Sequence, residues 1–282
     1  MTCERKTVFL QSLNSKGMSK FSLRSLFRKK EESQNDVHYI EIDETDSTSN
    51  YLKSLLATLD GVQREPRLTV AHADFQRAGR GQGSNSWESE RGKNLLFSVS
   101  CHPTWVPVRS QFLISESMAL ALCDALSAHT DGISIKWPND IYWNDRKISG
   151  TIIENTLNGG HINDCIIGTG VNVNQQEFRG DAPNPVSLCQ IVGHEIDRLP
   201  LLHDIIKRLD AYLADLRNGN YDKIAALYMS RLYRGHGFFP FRDKDGDFEA
   251  AIVEVEDDGH LILRDRDEQI RSYAFKEVEF VL

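Results

Sequence analysis

A chain of 282 residues, 40% hydrophobic and 26% charged, can bury a large core and a smaller second one. No window approaches the ~18 apolar residues that a membrane span requires. The net charge of −8 conceals an asymmetry: residues 1–30 hold eight Lys/Arg against Glu4, leaving 25 basic and 40 acidic residues, a net −15, in the rest. So acidic a body is a poor partner for nucleic acid, because neutralising phosphates supplies most non-specific affinity.

The basic segment lacks the apolar run and cleavage site of a secretory signal. Residues 1–36 are read as a tail expected to be disordered, with Met18 as an alternative start and Phe21, Leu23, Leu26 and Phe27 as a weak amphipathic turn. Five scattered cysteines (Cys3, Cys101, Cys123, Cys165, Cys189) show no C-x-x-C pair and no zinc spacing, which predicts reduced thiols and a cytoplasmic location.

From Val37 onward strand and helix signals alternate. Val37–Ile42 reads as a strand, and Asp46 or Ser47 as the cap of a helix with Leu52, Leu55, Leu56 and Leu59 at helical spacing. Leu68–Ala71 and Asn94–Cys101 are strands around a Gly-rich polar loop, and Ser110–Ala128 is a helix. Ile133–Trp137, Ile141–Trp143, Ile148–Asn155 and Asp164–Asn174 form a strand block with short links, which favours an antiparallel or mixed sheet over a doubly wound one. Helices are expected at Leu199–Leu216 and Tyr221–Tyr233. After Gly235 five short strands follow, with hairpin turns at Lys244-Asp245-Gly246 and Asp257-Asp258-Gly259. The class is therefore α+β: residues 37–234 as a sheet flanked by helices, and 235–282 as a small β-barrel-like module.

Four segments carry chemistry, and each is weak alone. In Arg77–Trp87, glycines at 79, 81 and 83 let backbone N–H groups approach an anion, Arg80 offers a bidentate guanidinium, and Trp87 either covers a ring or anchors the loop. The loop matches neither the dinucleotide nor the P-loop spacing, and a flexible surface loop explains it equally well. Lys136-Trp137-Pro138-Asn139-Asp140 sets a cation, an amide and a carboxylate at a strand end, with Trp137 extended ahead of proline. Asp145-Arg146-Lys147-Ile148-Ser149-Gly150 brings a lysine into a strand, and Gly150 admits close approach. Gly168-Thr169-Gly170-Val171-Asn172 implies something packed on the strand backbone, beside an amide.

In this order, with Asp46-Ser47-Thr48 and Gln76 ahead of them, the segments closely resemble the biotin protein ligase family over about Val37–Leu282. The resemblance implies a class II synthetase-like sheet with a C-terminal SH3-like barrel. It also implies an enzyme that forms biotinyl-5′-AMP from biotin and MgATP and passes biotin to a lysine of a biotin carboxyl carrier protein. By that resemblance Ser47, Thr48 and Gln76 hold the ureido ring, and Ser49 stands where the family often has Asn. Arg80, with Gly79, Gly81 and Gln82, meets the carboxylate and phosphate. Lys147 and Arg80 are the catalytic cations, and Gly150 and Gly168 line the biotin tail. Trp87, Asn139 and Asn172 contact the nucleotide, and Asp140 holds Mg²⁺. No cysteine nucleophile is implied.

Gln82-Gly83 departs from a stretch that is basic in many members, which predicts a looser grip on the adenylate. Only about 36 residues precede the catalytic body, without paired helices. The resemblance is therefore to the monofunctional type, with no specific DNA binding, no membrane, and a monomer or homodimer expected. A lipoate ligase shares the fold and the acyl-adenylate chemistry, but does not need the polar Ser47-Thr48/Gln76 set. A non-catalytic biotin sensor would not need both Arg80 and Lys147.

Overall fold

Nine residues of alternating texture at the start of the body and nine more after the first helix make the parallel strand pair of the main sheet. In the computed structural model β1 (Val37–Thr45) runs alongside β2 (Leu68–Gln76) in this way. The structure describes residues 37–58, 67–81, 83, 85–180 and 184–281. The expectations for residues 1–36, Leu59, Gln82 and Leu282 lie outside that set.

β3 (Leu95–Cys101), β4 (Ile133–Lys136), β5 (Asp140–Trp143), β6 (Arg146–Asn158) and β7 (His161–Val171) complete a seven-stranded mixed sheet of order β1-β2-β3-β7-β6-β5-β4. All of its other pairings are antiparallel, as the short links require.

Both faces of the sheet are covered, and the alternation of side chains shows how. Val70, Cys165 and Ile167 join the main core, while their neighbours Ala71 and Ile166 pack with Leu52 in a second cluster. Leu52 belongs to α1 (Thr48–Leu56). On the other face lie α2 (Phe112–Ser127), α4 (Arg198–Arg217) and α5 (Tyr221–Ser230), with the short α3 (Leu188–Val192) between sheet and helices in sequence. α2 contacts α4, α5 and the sheet at once, so it is buried nearly all round.

Three local details differ from the sequence expectation. Ser47 occupies the N-cap position of α1, yet its side chain makes no capping hydrogen bond. The helix expected over Ser110–Ala128 begins only at Phe112, preceded by a 3₁₀ turn at Val108–Ser110. The α3 turn was not anticipated; its Ser187/Gln190 capping box is the signal that identifies it.

The C-terminal strands β8 (Phe239–Asp243), β9 (Gly246–Val255), β10 (Leu261–Asp265), β11 (Ile270–Tyr273) and β12 (Glu279–Phe280) pair antiparallel in the order β11-β10-β9-β8-β12. Among the described residues the pairing ends at two free edges. It is thus an open five-stranded sheet rather than a closed barrel. The rings of Phe241, Phe248, Tyr273 and Phe280 fill its inner face. This sheet is tied to the first by a hydrogen bond of 3.0 Å from Trp137 Nε1 to Gly259 O, and by the packing of Phe112 on Gly259. Asp36–Leu282 form one compact unit. The four described cysteines are buried free thiols.

One buried group has a measurable signature. Glu116 of α2 is 3% exposed, and its Oε2 meets no partner among the described residues. Burial, with the charge of Asp257 adding to it, pushes its carboxyl up to about 8 from an ordinary 4.5. The folded chain therefore retains a proton that the unfolded chain loses. Stability should fall as pH rises between those two values, by on the order of 4 kcal/mol across the window. Urea denaturation at about pH 5 and about pH 8 checks this: Glu116→Gln should flatten the difference, and an equal slope in both proteins would refute it.

Candidate active site

On the face of the seven-stranded sheet that carries α1, a cavity of about 1070 Å³ lies over the middle strands. Register sets its floor. Asp140 of β5 lies opposite Gly150 of β6, which lies opposite Gly170 of β7. One row further along, Ile152, Gly168 and Ser98 are aligned across β6, β7 and β3.

Lys147 and Gly150 both face this cavity, although residues three apart on a regular strand point to opposite sides. An irregularity resolves the conflict. Tyr142 pairs with Lys147 but Ile141 pairs with Ser149, so Ile148 is an extra residue on β6. Ile148 turns into the core, fully buried, and Lys147 is re-aimed at the cavity. The segment after Pro183 pins it there: Lys147 N donates to Asn184 O, and Val186 N donates to Lys147 O, both at 2.9 Å.

The glycines on the floor are explained by what stands on them. A Cβ at Gly170 would come within 2.3 Å of the Trp87 ring, and one at Gly168 within 2.4 Å of Ser49 Oγ. The packing inferred from the sequence is therefore made by the protein's own side chains. Trp87 Nε1 is buried without an acceptor among the described residues.

A hydroxyl and amide cluster forms one part of the wall. Thr48 N and Oγ1 both donate to Gln76 Oε1, at 2.8 and 3.1 Å. Ser98 Oγ lies 2.7 Å from Thr48 Oγ1 and 3.0 Å from Ser49 Oγ. The Gln76 amide nitrogen and the Asn172 side chain have no hydrogen bond among the described residues. Asn172 is nonetheless 4% exposed and held by its backbone, N to Ile148 O and O from Leu188 N. Both groups can serve a polar ligand without breaking a contact.

The cations carry carboxylates of their own. Lys147 Nζ donates to Asp140 Oδ2 at 2.7 Å, and Asn139 Nδ2 donates to Thr151 O at 2.7 Å. Arg80 grips Glu154 with two hydrogen bonds of 3.1 and 3.0 Å, and Lys53 adds a third at 2.6 Å. Burial pushes the Glu154 carboxyl up, but the hydrogen bonds from Lys53 and Arg80 outweigh it and hold the group below the usual range. Lys136 sits 4.7 Å from the centre of the Tyr142 ring, with burial lowering its ammonium despite the attraction of Asp140.

Of the residues singled out from the sequence, Ser47, Thr48, Ser49, Gln76, Arg80, Gly81, Trp87, Asn139, Asp140, Lys147, Gly150, Gly168 and Asn172 line this one cavity. Gly79 does not; its O accepts from Trp87 N at 2.9 Å. The Gly81 N–H is engaged within the loop, donating to Asn85 O at 2.7 Å. Gln82 is outside the described residues. Sequence reasoning missed Ser98, Glu154 and the rim from the C-terminal sheet, including Phe275, Lys276 and Phe280. Glu154 was detectable, since it shares strand parity with Gly150. The rim was not.

A family model described as biotin/lipoate A/B protein ligase matches residues 42–172. The bifunctional ligase/repressor BirA of Bacillus spizizenii is 29% identical over 74% of this chain, and BirA of Escherichia coli 30% over 60%. This chain spans 65% and 51% of those two proteins. A biotin–[acetyl-CoA-carboxylase] ligase of Paracoccus denitrificans is 27% identical, with 78% of this chain and 91% of that one covered. The biotin protein ligase of Aquifex aeolicus in complex with biotin and ATP superposes with a TM-score of 0.69 at 24% identity, over 86% of this chain and 99% of the other.

The contact between Trp87 and Gly170 is testable by a double-mutant cycle. Gly170→Ala should destabilise by about 1–3 kcal/mol through overpacking, and most of that cost should vanish when Trp87→Ala is already present. Additive denaturation energies would show that the ring does not rest on this glycine.

Proposed function

We propose that this chain, whose residues 42–172 belong to the biotin/lipoate A/B protein ligase family, is a biotin protein ligase that activates biotin with ATP and transfers it to a lysine of a carrier protein. The observation that carries this reading is the convergence of Lys147 and Arg80 on a cavity that also offers the Thr48–Gln76–Ser98 cluster. A urea ring needs donors and acceptors together, and a buried one needs them fixed.

In the first step a carboxylate oxygen of biotin attacks the α-phosphorus of ATP, and pyrophosphate leaves. Two anions must approach each other, so cations fixed beforehand lower the barrier. Lys147, aimed by the extra residue at Ile148 and held by Asp140, is placed for this. Arg80 would exchange its grip on Glu154 for the ligand's carboxylate or phosphate oxygens. In the second step a lysine amine of the acceptor attacks the acyl carbon, and AMP leaves. No cysteine takes part.

Mg²⁺ fits this donor set only as a companion of the nucleotide. Asp140 spends Oδ2 on Lys147 and has Oδ1 left, 3.1 Å from a Cβ built at Gly150. One carboxylate oxygen suits an ion that brings waters and phosphate ligands with it. The ion would supply charge neutralisation on the polyphosphate. Asn172 and the Trp87 ring would take the nucleotide base, and the carrier is expected to be a biotin carboxyl carrier protein or domain. No helix among the described residues is long and apolar enough to cross a membrane.

Biotin-dependent ATP–pyrophosphate exchange tests the proposal. The wild-type chain should exchange with biotin and not with lipoate, and Lys147→Ala should lower the rate by at least about 10²-fold. Exchange with lipoate alone would reassign the substrate to the dithiolane acid.

A further inference from the structure

Four cations and four carboxylates line the cavity: Arg80, Lys136, Lys147 and Lys276 against Glu88, Asp140, Glu154 and Glu279. Such a wall has no excess positive charge to offer a polyphosphate. What matters is which cations are free. Arg80 and Lys147 are committed to Glu154 and Asp140, and Lys136 is wedged against Tyr142 and Phe280. Lys276 is exposed and, unlike the other three, has no hydrogen bond, ion pair or close ring contact among the described residues beyond the neighbouring Phe275 ring, 6.0 Å away.

The position of Lys276 is specific. It lies between β11 and β12 of the C-terminal sheet, at a positive φ of 72°. Its Nζ would be 2.8 Å from a Cβ built on Gly83. Gly83 belongs to the stretch Gly81–Ser86, which contains no charged residue. Past Arg80 the glycine-rich loop has no cation of its own, and the one beside Gly83 comes from a different part of the chain. With φ of +67° and no side chain, Gly83 leaves the space that the ammonium occupies.

We propose that Lys276 is a nucleotide-binding residue, the cation that the C-terminal sheet lends to the glycine-rich loop for the phosphate oxygens of ATP. The assignment rests on the ligase reading for the identity of the nucleotide. It makes the C-terminal sheet part of the site, with Lys276 supplying the positive charge that Gln82 does not.

The full chain tests this by calorimetric titration with ATP and, separately, with biotin, alongside the exchange assay. Lys276→Ala should weaken ATP binding and raise the ATP KM by about tenfold, the value of one charge-assisted contact, while biotin affinity stays as in wild type. Lys276→Arg should restore ATP binding, and Gln82→Arg in the Lys276→Ala background should recover part of it, by returning a cation from the loop side. Unchanged ATP affinity in Lys276→Ala would overturn the assignment. So would a parallel loss of ATP and biotin affinity that Lys276→Arg fails to rescue, since that is a folding defect. Absence of biotin-dependent exchange in the wild type would instead overturn the ligase reading, and the direct ATP titrations would still decide the role of Lys276.

Discussion

One extra residue in β6 decides where the chemistry can happen. Without the shift that makes Ile148 supernumerary, Lys147 would follow strand parity to the opposite face from Gly150 and meet the apolar core under α2. With it, the lysine stands beside Asp140, above glycines that leave the sheet surface open. The backbone of residues 184–186 clamps the irregular stretch, so that its loss of ladder pairing with β5 is made good by other hydrogen bonds. The same pleat that gives the sheet its core gives the site its cation.

Charge is the second constraint, and it has been arranged in pairs. The proposed reaction brings a carboxylate to a phosphate and calls for cations, and unpaired cations in a half-buried cavity are costly. Here Arg80 and Lys147 rest on Glu154 and Asp140, and Lys53 shares the first of these carboxylates. Under the proposed function an arriving anion would exchange partners with Arg80 instead of meeting a bare guanidinium. The carboxylate beside Arg80, Glu154, lies on β6, the strand that also carries Lys147.

The two sheets meet over this cavity. Trp137, on the link from β4 to β5, reaches the β9–β10 hairpin, and the strand end it occupies is the one that delivers Asn139 and Asp140. Tyr228 of α5 donates to Pro138 O at 2.7 Å from the other side. The motif around Pro138 is thereby held by a helix of the first sheet's layer and by the hairpin of the second. The C-terminal strands are a wall of the site as much as an appendage to it.

The amino-acid sequence by itself determined the elements and most of the donors. Sequence pattern located the neighbourhoods of all twelve described strands, closely enough to class the main sheet as antiparallel or mixed. Thirteen of the residues singled out line a single cavity, and the short links between β4 and β6 are what set Asn139, Asp140, Lys147 and Gly150 side by side. What it left undecided depends on contacts between distant positions. The open edge of the C-terminal sheet, the use of Gly168 and Gly170 as seats for Ser49 and Trp87, the Arg80–Glu154 pair and the approach of Lys276 to Gly83 each join residues some 70 to 190 positions apart in sequence or turn on an unpaired edge. No local pattern encodes such a pairing, since either partner alone reads as an ordinary strand glycine, a solvated charge or a turn. Tertiary structure decided them, through register and a single misfit residue.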